Sequence, residues 1–375
     1  MDYTRRSRRA NRGNYSAPQP RGQQGPAQPR GNRPAGRRKL PVLALVIIDL
    51  AGAAALFGAM YLSYTIPRAI DVTPRPLPVR TASAPVSPSP SADALQSAMQ
   101  IESAQAGEAS AEPTVEPTPT PDQGQFGAQF ADKFSDGEGE YTENGYRSRD
   151  ISVTMEKKQE NGVTWYVADI YVRNLDNFRT ALAKDTFGSG YSDTTLNMAE
   201  QNKAIVAISG DYYSNHRTGP VIRNGTLYRN DKLDDVCVLY NDGQMKTFEA
   251  DEYDANDIET NGAWQVWSFG PQLLKDGQPM EKFNSTLNPK NPRAAIGYYE
   301  PGHYCFVLVD GRQEGYSAGF TLKEMSQLFY DMGCKAAYNL DGGQSAIMVF
   351  NGKWANQPYR NGRNTSDILY IAEKQ

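Results

Sequence analysis

Apolar positions fall along the chain in three regimes. From Leu40 to Ile66 they form an almost unbroken run, LPVLALVIIDLAGAAALFGAMYLSYTI. From about Asp71 to Gln125 large apolar residues nearly vanish among Pro, Ala, Ser and Thr, as in PRPLPVRTASAPVSPSPSA and AEPTVEPTPTPDQ. From about Tyr141 onward, short apolar stretches alternate with turn residues. The first run exceeds the roughly 20 residues that cross a bilayer. It is also too long for the apolar core of a signal peptide, and no small-residue cleavage site clearly follows it, so residues 40–66 are expected to form a transmembrane helix. The second regime has almost nothing to bury and favours extended chain, which predicts a disordered stalk over 67–125. The third regime predicts a folded domain over 126–375.

Within that domain, ISVTMEK and VTWYVADIYVR read as two strands joined across Gln159, Glu160, Asn161 and Gly162. Further strand-like pieces are AIVAIS, VIRNGTLYR, VCVLYNDGQMKTF, AWQVWSFG, AAIGYYE, YCFVLVDG, AAYNL, AIMVFNGK and SDILYIAE, many bounded by turn signals such as Asn224-Gly225 and Asp242-Gly243. Thr194 to Asn202 is helix-like. The clearest helix runs from Leu322 to Met332: Thr321 and Glu324 make a capping box, Leu322, Met325, Leu328, Phe329 and Met332 form one apolar stripe, and Gly333 closes the end. Strands outnumber helices about threefold, so the expected fold class is α+β, a largely antiparallel β-sheet with a few covering helices.

Charge adds a direction. Eleven Lys or Arg and one acid lie in residues 1–39, which leaves 28 basic and 42 acidic residues beyond them. A basic tail beside an apolar run holds that side of a span in the cytoplasm. The expected topology is a single-pass membrane protein with a cytoplasmic tail, an extracellular domain and no nucleic-acid partner. Asp49 lies inside the apolar run, where an ionisable group by default marks a function. In a single span it is more simply a protonated residue, or one drawn to a partner helix at Gly52 and Gly58. Cys237, Cys305 and Cys334 fit no zinc spacing and sit among apolar neighbours, which reads as small buried residues.

Acidic or amide residues next to Gly recur where apolar strands stop: Ser209-Gly210-Asp211, Asp310-Gly311-Arg312 and Asn339-Leu340-Asp341-Gly342-Gly343-Gln344-Ser345. A polar side chain there is held yet exposed, and an adjacent Gly lets a ligand approach the backbone. Any one such pair is more often a plain turn. Two glycines between an apolar strand and Ser345 exceed what a hairpin needs. Arg293 precedes one strand and Arg312 follows another, so both could share a cleft with Arg217 and His216; paired guanidinium groups suit a phosphate. His216 is a proton-transfer candidate in SNHRTG, and His303 reads as a loop residue. There is no H-E-x-x-H, phosphate loop, G-x-S-x-G or CxxC pair. No cofactor is required; a divalent cation on Asp carboxylates is compatible with the residues, but no metal-ligand set can be picked out.

AISGDYYSNHRTGPVIRNGTLYR, FGPQLLKDG, NPRAAIGYY, VLVDGRQEGYSAGFTLKEMSQLFYDMGCKAAYNLDGGQSAIMVFNG and TSDILYIAE, in that order, resemble the phosphodiester glycosidase family over about residues 150–373. The most specific piece is VDGR followed some thirty residues later by NLDGG, with the capped helix between. The resemblance implies hydrolysis of a glycosyl-1-phosphodiester in a cell-surface glycan, wall polymer or exopolysaccharide. It points to Asp211, Arg293, Asp310, Arg312, Asn339, Asp341, Gly342, Gly343 and Ser345. Ser209 stands where the family often has Asn, Asp211 where Gly is frequent, and Gln344 where a third Gly is common. The working roles are Asp341 and Asp211 as the carboxylate pair, Asp310 and His216 as orienting or proton-transfer groups, and Arg293 and Arg312 on the phosphate, with Asn339, Gly342, Gly343 and Ser345 lining the substrate. The alternative is a non-catalytic wall-polymer binding module using the same arginines with Trp264, Trp267 and Trp354.

Overall fold

Strand after strand in this chain carries apolar residues on both faces, and the structure buries both. In His303–Val309, Tyr304, Phe306 and Leu308 point into one core, while Cys305, Val307 and Val309 point into another, following the two-residue period of a strand. The structure, a computed structural model, describes residues 42–70, 72–77, 123–215, 218–231, 235–283 and 285–374. His216 and Arg217 lie outside the described residues, as do the basic tail and most of the predicted stalk.

The largest sheet has seven strands in the order Ala336–Leu340, Arg293–Glu300, His303–Val309, Val163–Val172, Ile151–Glu160, Gly145–Arg147 and Glu140–Thr142. A five-stranded sheet holds Lys353–Trp354, Met348–Phe350, Val206–Ser209, Asp367–Ile371 and Phe178–Leu182. A six-stranded sheet holds Met245–Phe248, Val236–Tyr240, Ala263–Trp267, Val221–Arg223, Thr226–Arg229 and Arg75–Pro76. Neighbouring strands in all three are antiparallel. The expected antiparallel α+β architecture is thus observed in the folded domain. The inner core joins the three sheets, with Ile170, Phe306 and Leu340 from the first, Ile208 and Leu369 from the second, and Leu239 and Trp267 from the third.

Local chemistry explains the elements. Asn161 and Gly162 both take positive φ (51° and 72°), which makes the two-residue turn that joins the long hairpin. The helix Leu322–Asp331 has the reciprocal Thr321/Glu324 capping box and ends at Gly333 with φ 80°. Its stripe of Leu322, Met325 and Phe329 is fully buried against Val307, Val309 and Trp165 on the outer face of the large sheet. Each such side chain contributes about 1.5–3 kcal/mol. Thr195–Gln201 covers the five-stranded sheet through Met198 and Ala199.

Two expectations change N-terminal to the domain. The apolar run does form a helix, Val42–Thr65, whose side chains are described over 46–62 and are almost all exposed, among them Leu56 and Phe57. Among the described residues, however, no helix is long and apolar enough to cross a membrane. The stalk was expected from 67, yet Arg68–Ala69 pairs with Gly188–Ser189, and Arg75–Pro76 pairs with Thr226 and Leu227 at the edge of the six-stranded sheet. Leu77 is buried beside Ile222, Tyr253 and Ile258, its N–H bonded to the Gly225 carbonyl at 2.8 Å. One strand-edge partner and one buried Leu were invisible to composition because RPL sits among prolines. A fragment starting at residue 124 should therefore unfold at a lower temperature than one starting at 66, through lost Leu77 burial worth about 1.5–3 kcal/mol. Equal midpoints in thermal denaturation would show that residues 66–77 add nothing.

Candidate active site

Antiparallel register gathers the site. Pairing of Arg293 with Val309 and of Ala294 with Leu340 brings the start of one strand and the ends of two others to one sheet edge, so Arg293, Asp310 and Asp341 arrive together. Ile368 pairs with Ser209 in the five-stranded sheet, placing Asp367 beside Gly210 and Asp211. The Asp341 N–H then bonds the Gly210 carbonyl at 3.0 Å and the Ser209 hydroxyl bonds the Asp341 carbonyl at 3.1 Å, locking the two sheets together under the site.

A cleft of about 230 Å³ opens there, with Asp341, Arg312, Arg363, Arg293, Asn339 and Gly343 among its walls. The double glycine has two separate causes. A Cβ at Gly342 would lie 2.7 Å from the Pro292 carbonyl, and Gly343 has φ 61° while its N–H bonds that same carbonyl at 2.8 Å. Gly311 and Gly319 allow equally close approach to Pro292 and Asn291, so glycines from three motifs pack against one loop.

Asp341 is the one carboxylate lining this cleft. It is 5% exposed, and Arg363 reaches its Oδ2 at 3.2 Å and Oδ1 at 3.5 Å. Arg363 also donates from Nε (2.9 Å) and a terminal nitrogen (2.7 Å) to Ser345 Oγ. Burial raises the Asp341 carboxyl above the usual aspartate range, partly offset by Ser345 and Arg363, and the nearby Asp211 pushes it the same way as burial. Arg312, exposed and in the left-handed region at φ 57°, is steadied by its Nε bond to Asn291 Oδ1 (2.9 Å) and by the Tyr359 ring at 5.7 Å. Asn339 gives its Nδ2–H to the Gly270 carbonyl at 2.8 Å; its Oδ1 is buried with no hydrogen-bond partner.

Three expected roles move. Asp211 is 1% exposed and does not line the cleft: its Oδ2 accepts the Ser268 N–H (2.8 Å) and Arg223 (3.2 Å). Arg223, wholly buried, also pairs with Asp367 at 2.9 Å, so one guanidinium serves two carboxylates. Asp341 and Asp211 are thus not a catalytic pair facing one substrate. Arg293 lines the cleft but donates to the carbonyls of Phe320 (3.0 Å), Pro289 (2.7 Å) and Leu287, which makes it an anchor for the 287–292 loop instead of a free clamp. Burial, then the Arg312 charge, lowers its pKa to about 10. Asp310 is buried and accepts from Asn356 Nδ2 (2.8 Å), the Gln357 N–H (3.1 Å) and Tyr316 Oη (2.8 Å); it ties two loops together.

Arg363 and Arg223 were not among the expected site residues. Arg363 stands in RNGRNTSD ahead of the last strand, two residues before the quoted TSDILYIAE, and no spacing rule marks it. Arg223 lies in VIRNG, a strand-and-turn pattern where Arg reads as surface. The tryptophans mostly leave the sugar-binding reading: Trp267 is fully buried, Trp264 gives its indole N–H to the Phe178 carbonyl at 2.7 Å, and only Trp354 is exposed. His303 opens a strand, stacked between Tyr171 and Tyr299 and bonded to Asp169 at 2.7 Å. The three cysteines are free and buried, as expected. Among the described residues, no group of three or more His, Cys, Asp or Glu is placed to hold a metal ion.

A single buried acid thus stands beside arginines in a cleft at the edge of an antiparallel sheet. A family model described as phosphodiester glycosidase matches residues 202–372. Among curated relatives, the SPbeta prophage-derived uncharacterized protein YomE of Bacillus subtilis (strain 168) is 31% identical over 234 residues, 56% of this chain and 36% of that protein. The N-acetylglucosamine-1-phosphodiester alpha-N-acetylglucosaminidase of Bos taurus is 34% identical over 121 residues, 30% of this chain and 23% of its own, and the Homo sapiens protein 28% over the same length. The chain therefore spans about a third or less of the length of these relatives. Among solved structures, the zebrafish N-acetylglucosamine-1-phosphodiester alpha-N-acetylglucosaminidase catalytic domain, auto-inhibited by pro-peptide, is 21% identical with a TM-score of 0.48, covering 60% of this chain and 83% of its own. A hypothetical protein from Synechocystis is 14% identical with a TM-score of 0.44, covering 60% and 62%.

Proposed function

We propose that this chain hydrolyses a glycosyl-1-phosphodiester in a cell-surface glycan or wall polymer. The observation that carries this reading is Asp341: a buried carboxylate opening into a cleft whose other charged walls are Arg312, Arg363 and Arg293. The bond between C1 and the phosphate oxygen breaks, the electron pair leaves with a phosphate monoester, and water oxygen joins C1. A phosphate leaves without much help from an acid. What the site must supply is negative charge beside the positive C1 centre and cations beside the phosphate. Asp341 supplies the first, acting on water or on C1 directly, and Arg312 and Arg363 supply the second. Asn339 and the glycine edge at Gly342 and Gly343 shape the sugar side. The test is to incubate the folded part of the chain with wall teichoic acid and with glycosyl-phosphate polymers, and to measure released sugar. Sugar appearing at the rate of an Asp341→Asn control would sink the enzyme reading and leave the binding module.

The same proposal places the folded domain outside the cell and the basic tail in the cytoplasm; the support is the eleven Lys or Arg in residues 1–39. Protease added to intact cells should remove the domain and spare the tail. A tail cut from outside would overturn that orientation.

A further inference from the structure

The Arg363 side chain is nearly half exposed, yet three residues of one short turn hold it. Asp341 and the turn Gly343–Ser345 follow directly on the strand Ala336–Leu340. Asp341 meets the Arg363 guanidinium at 3.2 Å, and Ser345 Oγ accepts from it twice. Gln344, between the two in sequence, donates its Nε2–H to the Gly362 carbonyl at 2.9 Å. That carbonyl belongs to the peptide bond that leads into Arg363. We propose that Gln344 is a positioning residue: its grip on the Gly362 carbonyl fixes the loop that presents Arg363 to Asp341 and to the cleft. Its effect on turnover rests on the function proposed above, whereas its hold on Arg363 does not.

The loop needs such a grip. Arg360, Asn361 and Gly362 take positive φ in succession (50°, 60° and 78°), a course that residues with a Cβ rarely hold without support from their surroundings. Before this stretch, the Tyr359 ring lies against Arg312 at 5.7 Å and Arg360 at 5.1 Å; after it, Thr365 pairs with Asp193. Between these anchors Gln344 reaches in from the glycine edge. Arg363 also lies over the Tyr212 ring at 5.5 Å. A guanidinium on a long flexible stem keeps its place only when the backbone it starts from is fixed as well as its tip. A neutral amide suits the task. The charges around Asp341 are Arg363, Arg312 and Arg293 in the cleft and Asp211 at the sheet junction, and Gln344 adds none. Burial raises the Asp341 carboxyl, while Ser345 and Arg363 oppose that rise. Loosening Arg363 therefore lets the carboxyl rise further, and a change at Gln344 reaches Asp341 through Arg363.

The test is a cycle of intact chains: the parent, Gln344→Met, Arg363→Met and the double variant. Met keeps nearly the length of Gln without its N–H donor. Asp341 is titrated through carbon-13-labelled aspartate carboxyls, its signal found by comparison with Asp341→Asn. Gln344→Met should move the Asp341 midpoint to higher pH, as Arg363→Met does, and should add nothing once Arg363 is gone. On the wall teichoic acid or glycosyl-phosphate polymer that the parent cleaves, Gln344→Met should lower kcat/KM about tenfold and move the acid limb the same way. In the Arg363→Met background it should again change neither. Gln344→Ala should repeat both results, and it replaces Gln344→Met if that variant does not fold. A midpoint that Gln344→Met leaves unchanged, or an effect equally large with and without Arg363, overturns the inference. A parent without turnover sinks the proposed function, and the carboxyl titration alone then decides whether Gln344 holds Arg363.

Discussion

Under the proposed function, Asp341→Asn is expected to lower glycosyl-phosphodiester turnover by about a hundredfold or more while leaving the melting transition in place. The amide keeps the shape and can still accept from Arg363 and Ser345, so the lost property is the negative charge. The pH profile carries a second signature. Burial holds the Asp341 carboxyl above the usual aspartate range, so kcat/KM of the parent should fall as pH drops through that raised value. Arg363 opposes the rise, and Arg363→Met should therefore move the acid limb to higher pH, in addition to weakening phosphate binding. For stability the sign is opposite to that of a salt-bridged acid. A raised carboxyl contributes stability below the usual aspartate pKa and loses it as pH rises through the folded value, so the charged form is tolerated for function at a cost to folding. An Asp341→Asn protein that turns over at the parental rate, or that no longer folds, would remove the residue from the mechanism.

The largest stability effect is expected at Arg223. Arg223→Met strands Asp211 and Asp367 as two buried carboxylates without their cation, and breaking such a group costs about 3–5 kcal/mol. In a domain of this size that lowers Tm by about 10 °C. Even with Arg223 present, burial and the Asp211 charge push Asp367 up to about 7. The parent's contribution from this carboxyl is thus present below the ordinary aspartate range and lost as pH rises through about 7. Without Arg223, Asp367 favours the neutral form more strongly, so the variant should lose most stability at neutral pH and recover part of it in acid. Adding Asp367→Asn should restore some of the loss, giving a non-additive pair in denaturant or thermal unfolding. An Arg223→Met protein as stable as the parent at pH 7 would mean that the guanidinium is not holding these acids.

Turnover and stability therefore separate along the two sheets that meet at Gly210 and Asp341. Asp341 opens to the cleft and pays in folding for being charged, whereas Asp211 is closed off and serves to hold Ser268 and the six-stranded sheet in place.

Local rules made much of this molecule legible in sequence. The Thr321/Glu324 box and the stripe through Phe329 act over one or two turns, and Asn161-Gly162 sets a turn by itself, so short segments were enough to find them. The ends of AAYNL and YCFVLVDG likewise announced Asp341 and Asp310, because an abrupt change from apolar to acidic residues marks a strand end. The motifs also carried the resemblance to the family whose model matches residues 202–372. What only the tertiary structure decided was the direction in which each polar group points. Asp211 and Asp341 have similar local sequence, both emerging from apolar strands beside glycine. One meets Arg223 and Asp367 across a sheet junction and is sealed, and the other meets Arg363 at a cleft and stays open. Arg293 and Arg312 were equivalent as charges until the carbonyls of Leu287, Pro289 and Phe320 claimed the first. Residues 68–77 looked like linker because strand pairing at a sheet edge depends on the partner strand, which lies some 150 residues away. Side-chain type and spacing are local, but burial, partner and orientation are set by contacts between distant segments, and no short-range pattern encodes those.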